Sequence, residues 1–247
     1  RKALLMLAAN QRQRGLIDAA KQSCARLLFI NHALSQDCLY AAALGQQGHR
    51  FQLSRNQDGD NDTNLWRDLL RAEFAETQGN IDLARNIYHG IWQRSESLTV
   101  EAWVQYAHFL RREGLHYELK QLLRFAPAKG ELLSLRAFVN DDVNEEALAE
   151  QITLQERHPE AKRHAAEIAW FYHLNTNSAR SALHWAQVNW NTQRSLRDAE
   201  LLVRTALVAG QKASIEQVTD WMTTHNVNDQ RLLDLLTHYT ASVSSSE

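Results

Sequence analysis

Gly79-Asn80-Ile81-Asp82-Leu83-Ala84 decides the fold, because the chain holds two further copies of its pattern: Gly15-Leu16-Ile17-Asp18-Ala19-Ala20 and Gly114-Leu115-His116-Tyr117-Glu118-Leu119. In each, a glycine stands where a helix must end in a left-handed turn, and a second helical stretch opens behind it. The residue two places on is apolar or aromatic and the one five places on is small or apolar, as the interior of a helical hairpin requires. Gly48 and Gly210 extend the ruler. Gly15, Gly48, Gly79 and Gly114 are 33, 31 and 35 residues apart, and Gly210 lies 96 beyond Gly114, close to three more periods.

Composition agrees with helices throughout. The 247 residues include 35 Leu and 32 Ala against 10 Val and 8 Ile, with nine Gly and two Pro, so helix formers dominate and β-branched residues are few. Charged residues at 23% and apolar ones at 44% exclude a disordered chain. No apolar run exceeds the seven residues of Ala3 to Ala9, too short to span a bilayer, so no membrane insertion is expected. A net charge of −2 without a basic tract argues against nucleic acid. The chain opens on Arg1 with neither an initiator Met nor a signal-peptide profile, which reads as a mature or trimmed fragment.

The remaining punctuation divides the chain into units at approximately 1–33, 34–64, 65–99, 100–129, 130–160, 161–195 and 196–227, with a capping helix at 228–239 and a flexible tail at 240–247. The second helix of the sixth unit starts near Ala179, with Asn177 standing in for glycine as a left-handed residue. Ala8, Ala41, Ala72 and Ala107 fall where paired helices approach too closely for larger side chains. Ala20 and Ala84 do the same on second helices, and Tyr88 fills a large position.

With Trp103, Tyr106, Ala107 and Leu110 ahead of Gly114, this period and punctuation resemble the tetratricopeptide repeat. The segment Cys24-Ala25-Arg26-Leu27 with Cys38, and the stretch Ala186 to Arg194, resemble more narrowly an uncharacterised group of bacterial, exported proteins of that superfamily. The resemblance implies an all-α, right-handed α-α superhelix of about seven helical hairpins plus a C-terminal capping helix, forming one solenoid over 1–247. It implies a concave surface lined by first helices. It also implies a periplasmic or otherwise exported location, with a cytoplasmic one as the alternative, and it carries no enzymatic activity to transfer.

Glu73, Glu76, His108, Arg111, Arg112, Phe171, Asn175, Glu200 and Arg204 project into that groove by register, and Arg111 and Arg112 beside His108 are suited to a carboxylate or peptide C-terminus. A solvated face, with the arginines complementing the helix dipole, is the competing reading. The seven tryptophans, Trp66, Trp92, Trp103, Trp170, Trp185, Trp190 and Trp221, are expected in the core, with Trp66 able to face the groove.

Cys24 and Cys38, 14 residues apart on neighbouring helices, are candidates for a disulfide worth about 3 kcal/mol; two buried thiols are the alternative. Asp58 to Asn64 alternates oxygen-bearing side chains like half of a calcium loop, but lacks the turn glycine and the closing glutamate. It reads instead as a linker ending in a helix N-cap at Asn64. His164 and Glu167 share a helix face that His173 cannot join, and no metal, phosphate-loop or nucleophile motif is present. The expectation is a non-catalytic scaffold, without cofactor, that binds another protein or a peptide in its groove. A self-assembling structural module with an empty groove, forming a homo-oligomer, is the alternative.

Overall fold

The structure, a computed structural model, describes residues 2–46, 61–94, 98–139 and 144–244. Among these it is all-helical, with fourteen α-helices, two short 3-10 turns and no strand. Two compact units divide the chain: Arg1–Arg94 with Thr192–Val203 and Lys212–Glu247, and Ser95–Asn191 with Arg204–Gln211.

The first unit opens with α1 (Lys2–Gln13) and α2 (Ile17–Ala25), packed as a hairpin. Gly15 adopts φ +74, which lets the Gly15 and Leu16 amides return to the Arg12 and Gln11 carbonyls and close the end of α1. A 3-10 turn, Arg26–Phe29, leads to α3 (His32–Ala43), whose N-cap Asn31 accepts from the Leu34 amide. A disulfide joins Cys24 of α2 to Cys38 of α3, Cα to Cα 5.3 Å, beside the bond from the Ser35 hydroxyl to the Cys24 carbonyl. Helices α4 (Asn61–Thr77) and α5 (Ile81–Arg94) form the next hairpin about Gly79, at φ +69. Ala8, Ala20, Ala72 and Ala84 are buried in these contacts, where a larger side chain would force the helices apart. A buried ion pair, Arg67 to Asp37 at 2.6 Å, holds α4 to α3.

The same unit contains the start of α12 (Leu196–Ala209), then α13 (Lys212–Thr224) and α14 (Gln230–Ser244). These late segments pack on the turns of the early hairpins. The Arg194 amide donates to the Gln13 carbonyl at 2.5 Å, the Asn228 amide to Gly45 at 2.6 Å, and Gln46 pairs with His225 and Val227. A nearest-neighbour array of repeats has no such contacts between its first and last members.

The second unit contains α6 (Val100–Arg112), α7 (His116–Leu123), α8 (Glu131–Phe138), α9 (Glu145–Arg157), α10 (Ala165–Asn175) and α11 (Ala179–Trp190), with the end of α12. Helix α6 packs on α8, and α8 on α10, each one hairpin further along the chain. Arg136 of α8 donates to the Leu123 and Ala126 carbonyls, supplying donors to the last turn of α7 and the residues just beyond it.

Four local expectations shift. The left-handed glycine ending α3 is Gly45, at φ +82; Gly48 lies outside the described residues, as do Asp58 to Asp60 and Asp141-Asp142. Helix α4 begins at Asn61, so Asn64 sits within its first turn instead of capping it. The positive-φ asparagine is Asn226, not Asn177, because the Thr176 hydroxyl closes the α10–α11 turn by bonding the Tyr172 carbonyl and the Ser178 amide. Finally, α14 continues to Ser244, through most of the stretch expected to be a tail.

Candidate functional site

The polar residues assigned to a groove fall into both units; four of the eight are buried and the other four half-buried. In the second unit, His108 of α6 meets Glu131 of α8 at 2.8 Å and lies against Trp170 of α10, while the Arg111 guanidinium sits 4.7 Å from the centre of that indole. Phe171 is buried on α10, and Asn175 donates to the Ser134 carbonyl at 3.0 Å. Arg112 and Arg204 are half-buried. His164 reaches Glu167 at 3.3 Å, and His173 packs on Trp170. Burial raises the Glu167 carboxyl above its ordinary range, against the opposing pull of His164 and with further help from Glu131.

In the first unit, Glu73 of α4 accepts from Arg12 of α1, both oxygens at 3.3 Å. One turn on, buried Glu76 accepts from the Tyr88 hydroxyl at 2.7 Å and lies 3.5 Å from Arg231 of α14. Arg231 also binds Asp229 through two nitrogens, which holds its guanidinium firmly protonated despite the cost of burial. Glu200 is buried on α12. Glu73 and Glu76 thus bind α1 and α14 to one face of α4, a link between elements about 150 residues apart that no local sequence pattern announces.

The open site lies on the other side of Arg12. Leu5, Met6, Ala8 and Ala9 of α1, Cys38, Ala41 and Ala42 of α3, and Trp66 of α4 line a half-open cavity of about 250 Å³, with Arg12 at its polar edge. Small residues on both α1 and α3 leave the space, and half-buried Trp66 closes it from one side. Ala41 therefore differs from Ala72 and Ala107: it sits in the same sequence track but is only half-buried and lines the cavity, which buried Ala8 also borders. Arg12 spends one terminal nitrogen on Glu73. Trp66 was singled out by its sequence position, whereas the alanines beside it read as close-packing residues.

A second cavity, about 310 Å³, opens in the other unit against Phe138, Glu145 and Asn175. Its walls are more polar and offer no aromatic anchor on the scale of Trp66. No group of three or more His, Cys, Asp or Glu among the described residues is placed to hold a metal ion. No described helix is long and apolar enough to cross a membrane.

No family model, curated protein or solved structure matches this chain.

Proposed function

We propose that this chain is a non-catalytic protein-binding module of tetratricopeptide-like helical hairpins, which holds a protein segment by seating one of its apolar side chains between α1, α3 and α4. The observation that carries this reading is the cavity itself. It opens to the surface at exposed Met6 and Ala9, and an apolar cavity of about 150 Å³ already holds benzene. The space of about 250 Å³ therefore accommodates a leucine or phenylalanine side chain with part of its backbone. Exposed Met6 marks the entrance. The Cys24–Cys38 disulfide supports an exported, oxidising location.

The test is a photo-reactive phenylalanine at Met6, with another at exposed Leu154 of the second unit as control. Crosslinks from position 6 to a protein segment, lost when Ala41→Phe fills the cavity, are the expected outcome. Crosslinking that persists unchanged with the cavity filled overturns the reading.

A further inference from the structure

The connection between α2 and α3 carries a feature that the cavity does not use. There the 3-10 turn points Leu27 into the core and leaves Leu28, Phe29 and Ile30 outside, 49%, 93% and 50% exposed. Phe29 is the most exposed large apolar residue among those described. The tip is held in place: the disulfide brackets it, the Ile30 and Asn31 amides both donate to the Leu27 carbonyl at 2.8 Å, and the Ser35 hydroxyl ties α3 to the Cys24 carbonyl. Around it the charge is of one sign. Residues 19–36 hold Lys21, Arg26 and His32 and no acid; Arg26 is exposed at the base of the tip, and Asp37, which follows, is buried against Arg67. Residues 1–46 hold six of the chain's 27 Lys and Arg but two of its 29 Asp and Glu, a net +4 in a chain whose total is −2.

We infer that the Leu28-Phe29-Ile30 tip seats in the surface of a bilayer that contains anionic phospholipid. Two observations select this partner over a protein. The first is shape. The three side chains follow one another around a turn and protrude as a small convex tip of roughly 350 Å² of apolar surface, well short of the ~800 Å² that each partner gives to a stable protein interface. A bilayer needs no matching pocket: it deforms around such a tip and takes it about 5–10 Å deep, at the boundary between headgroups and acyl chains. The second is the cationic collar. Arg26 lies at headgroup level when the tip is seated, with Lys21 roughly 8 Å further back along α2. Each basic residue near an anionic surface strengthens binding about fivefold, and residues 19–36 bring no opposing carboxylate. Because the disulfide already fixes the turn, little conformational freedom is lost on seating. This association is peripheral; no described helix is long and apolar enough to cross a membrane.

Flotation of the purified, oxidised chain with lipid vesicles tests this. The chain is expected to float with vesicles of mixed phosphatidylglycerol and phosphatidylcholine, less so as salt rises, and much less with phosphatidylcholine alone. Phe29→Asp, at a side chain that touches little of the core, weakens binding at least about tenfold. Arg26→Gln weakens it about fivefold, on the anionic vesicles only. Tyr117→Asp, at an exposed ring of the second unit, leaves it unchanged. Phe29→Trp adds tryptophan emission that bromine on the lipid acyl chains quenches, which places the tip below the headgroups. Circular dichroism confirms that the variants are folded. A chain that does not float, binding that survives Phe29→Asp or falls equally with Tyr117→Asp, or added emission that brominated lipid leaves unquenched overturns the inference. Loss of a protein partner on Phe29→Asp without any flotation assigns the tip to a protein interface and overturns it too. The cavity reading stands or falls separately, on crosslinking from Met6.

Discussion

Gly45 and Gly114 end helices in the same left-handed conformation, at φ +82 and +68, yet they sit in opposite surroundings. A Cβ on Gly45 would meet the Leu196 side chain at 3.0 Å, whereas one on Gly114 would meet nothing within 4 Å. Gly15 and Gly79 resemble Gly45: Arg194 and Gln230 lie 3.0 and 3.2 Å from where their Cβ atoms would be. Gly210 resembles Gly114 in meeting nothing. One sequence signal thus does two jobs. At Gly114 and Gly210 the glycine only turns the chain, while at Gly15, Gly45 and Gly79 it also clears room for segments that arrive from far along the sequence.

That difference can be broken most severely at Arg231. Arg231→Ala leaves Asp229 and Glu76 buried without their shared cation, and is expected to cost the first unit about 3–5 kcal/mol. The loss should be read by hydrogen exchange as lost protection in α1, α4 and α14, with α8 and α10 of the second unit unchanged. Next in size, the double replacement Cys24→Ala/Cys38→Ala removes a 14-residue closure and should cost about 3 kcal/mol in denaturant titration. Again the loss falls on the first unit.

The glycines themselves sharpen the contrast. Gly114→Ala carries only the left-handed penalty of about 1–2 kcal/mol. Gly45→Ala adds displacement of Leu196 and should exceed it by about 1 kcal/mol or more; equal effects would mean that the close approach has no energetic weight. The smallest effect belongs to Glu167. Because burial raises its folded pKa, the stability linked to its protonation is present below the unfolded pKa and lost as pH rises through the folded value. Glu167→Gln should therefore stabilise the second unit by a few tenths of a kcal/mol near neutral pH, since solvent still reaches the side chain. Below about pH 4 it should change nothing, as the carboxyl is then protonated in both states.

Helical class and hairpin punctuation were legible because both are local. An alanine- and leucine-rich stretch ended by glycine has few other solutions, and Gly15, Gly79, Gly114 and Gly210 all take positive φ. Local ambiguity explains the displaced turns. Gly45 and Gly48 stand three residues apart, and only the surroundings select between them. Thr176 and Asn177 are adjacent, and a threonine hydroxyl closed the turn without a left-handed residue.

The cavity was less legible. Ala41 carries the same letter as Ala72, and whether a small residue touches a helix or faces a gap depends on what lies across from it. The buried polar groups were hidden for a related reason. His108, Arg111, Glu76 and Glu200 fall on helix faces that look solvated from their own neighbours, and their partners lie 23 residues away for Glu131 and 155 for Arg231. Register can say which residues share a face, but not what is packed upon it.

The docking of Arg194, Leu196 and Asn228 on the early turns sets a timetable for synthesis. A ribosome that has finished residue 94 must add the next 98 residues before Thr192, the first late residue of that unit, emerges, a wait of about 5–20 s at ordinary elongation rates. Throughout that interval the second unit's helices α6 to α11 are appearing and can pair with one another. The helices made first must therefore finish last, and a nascent chain stalled near residue 190 would expose the turns at Gly15, Gly45 and Gly79 to whatever chaperone attends it.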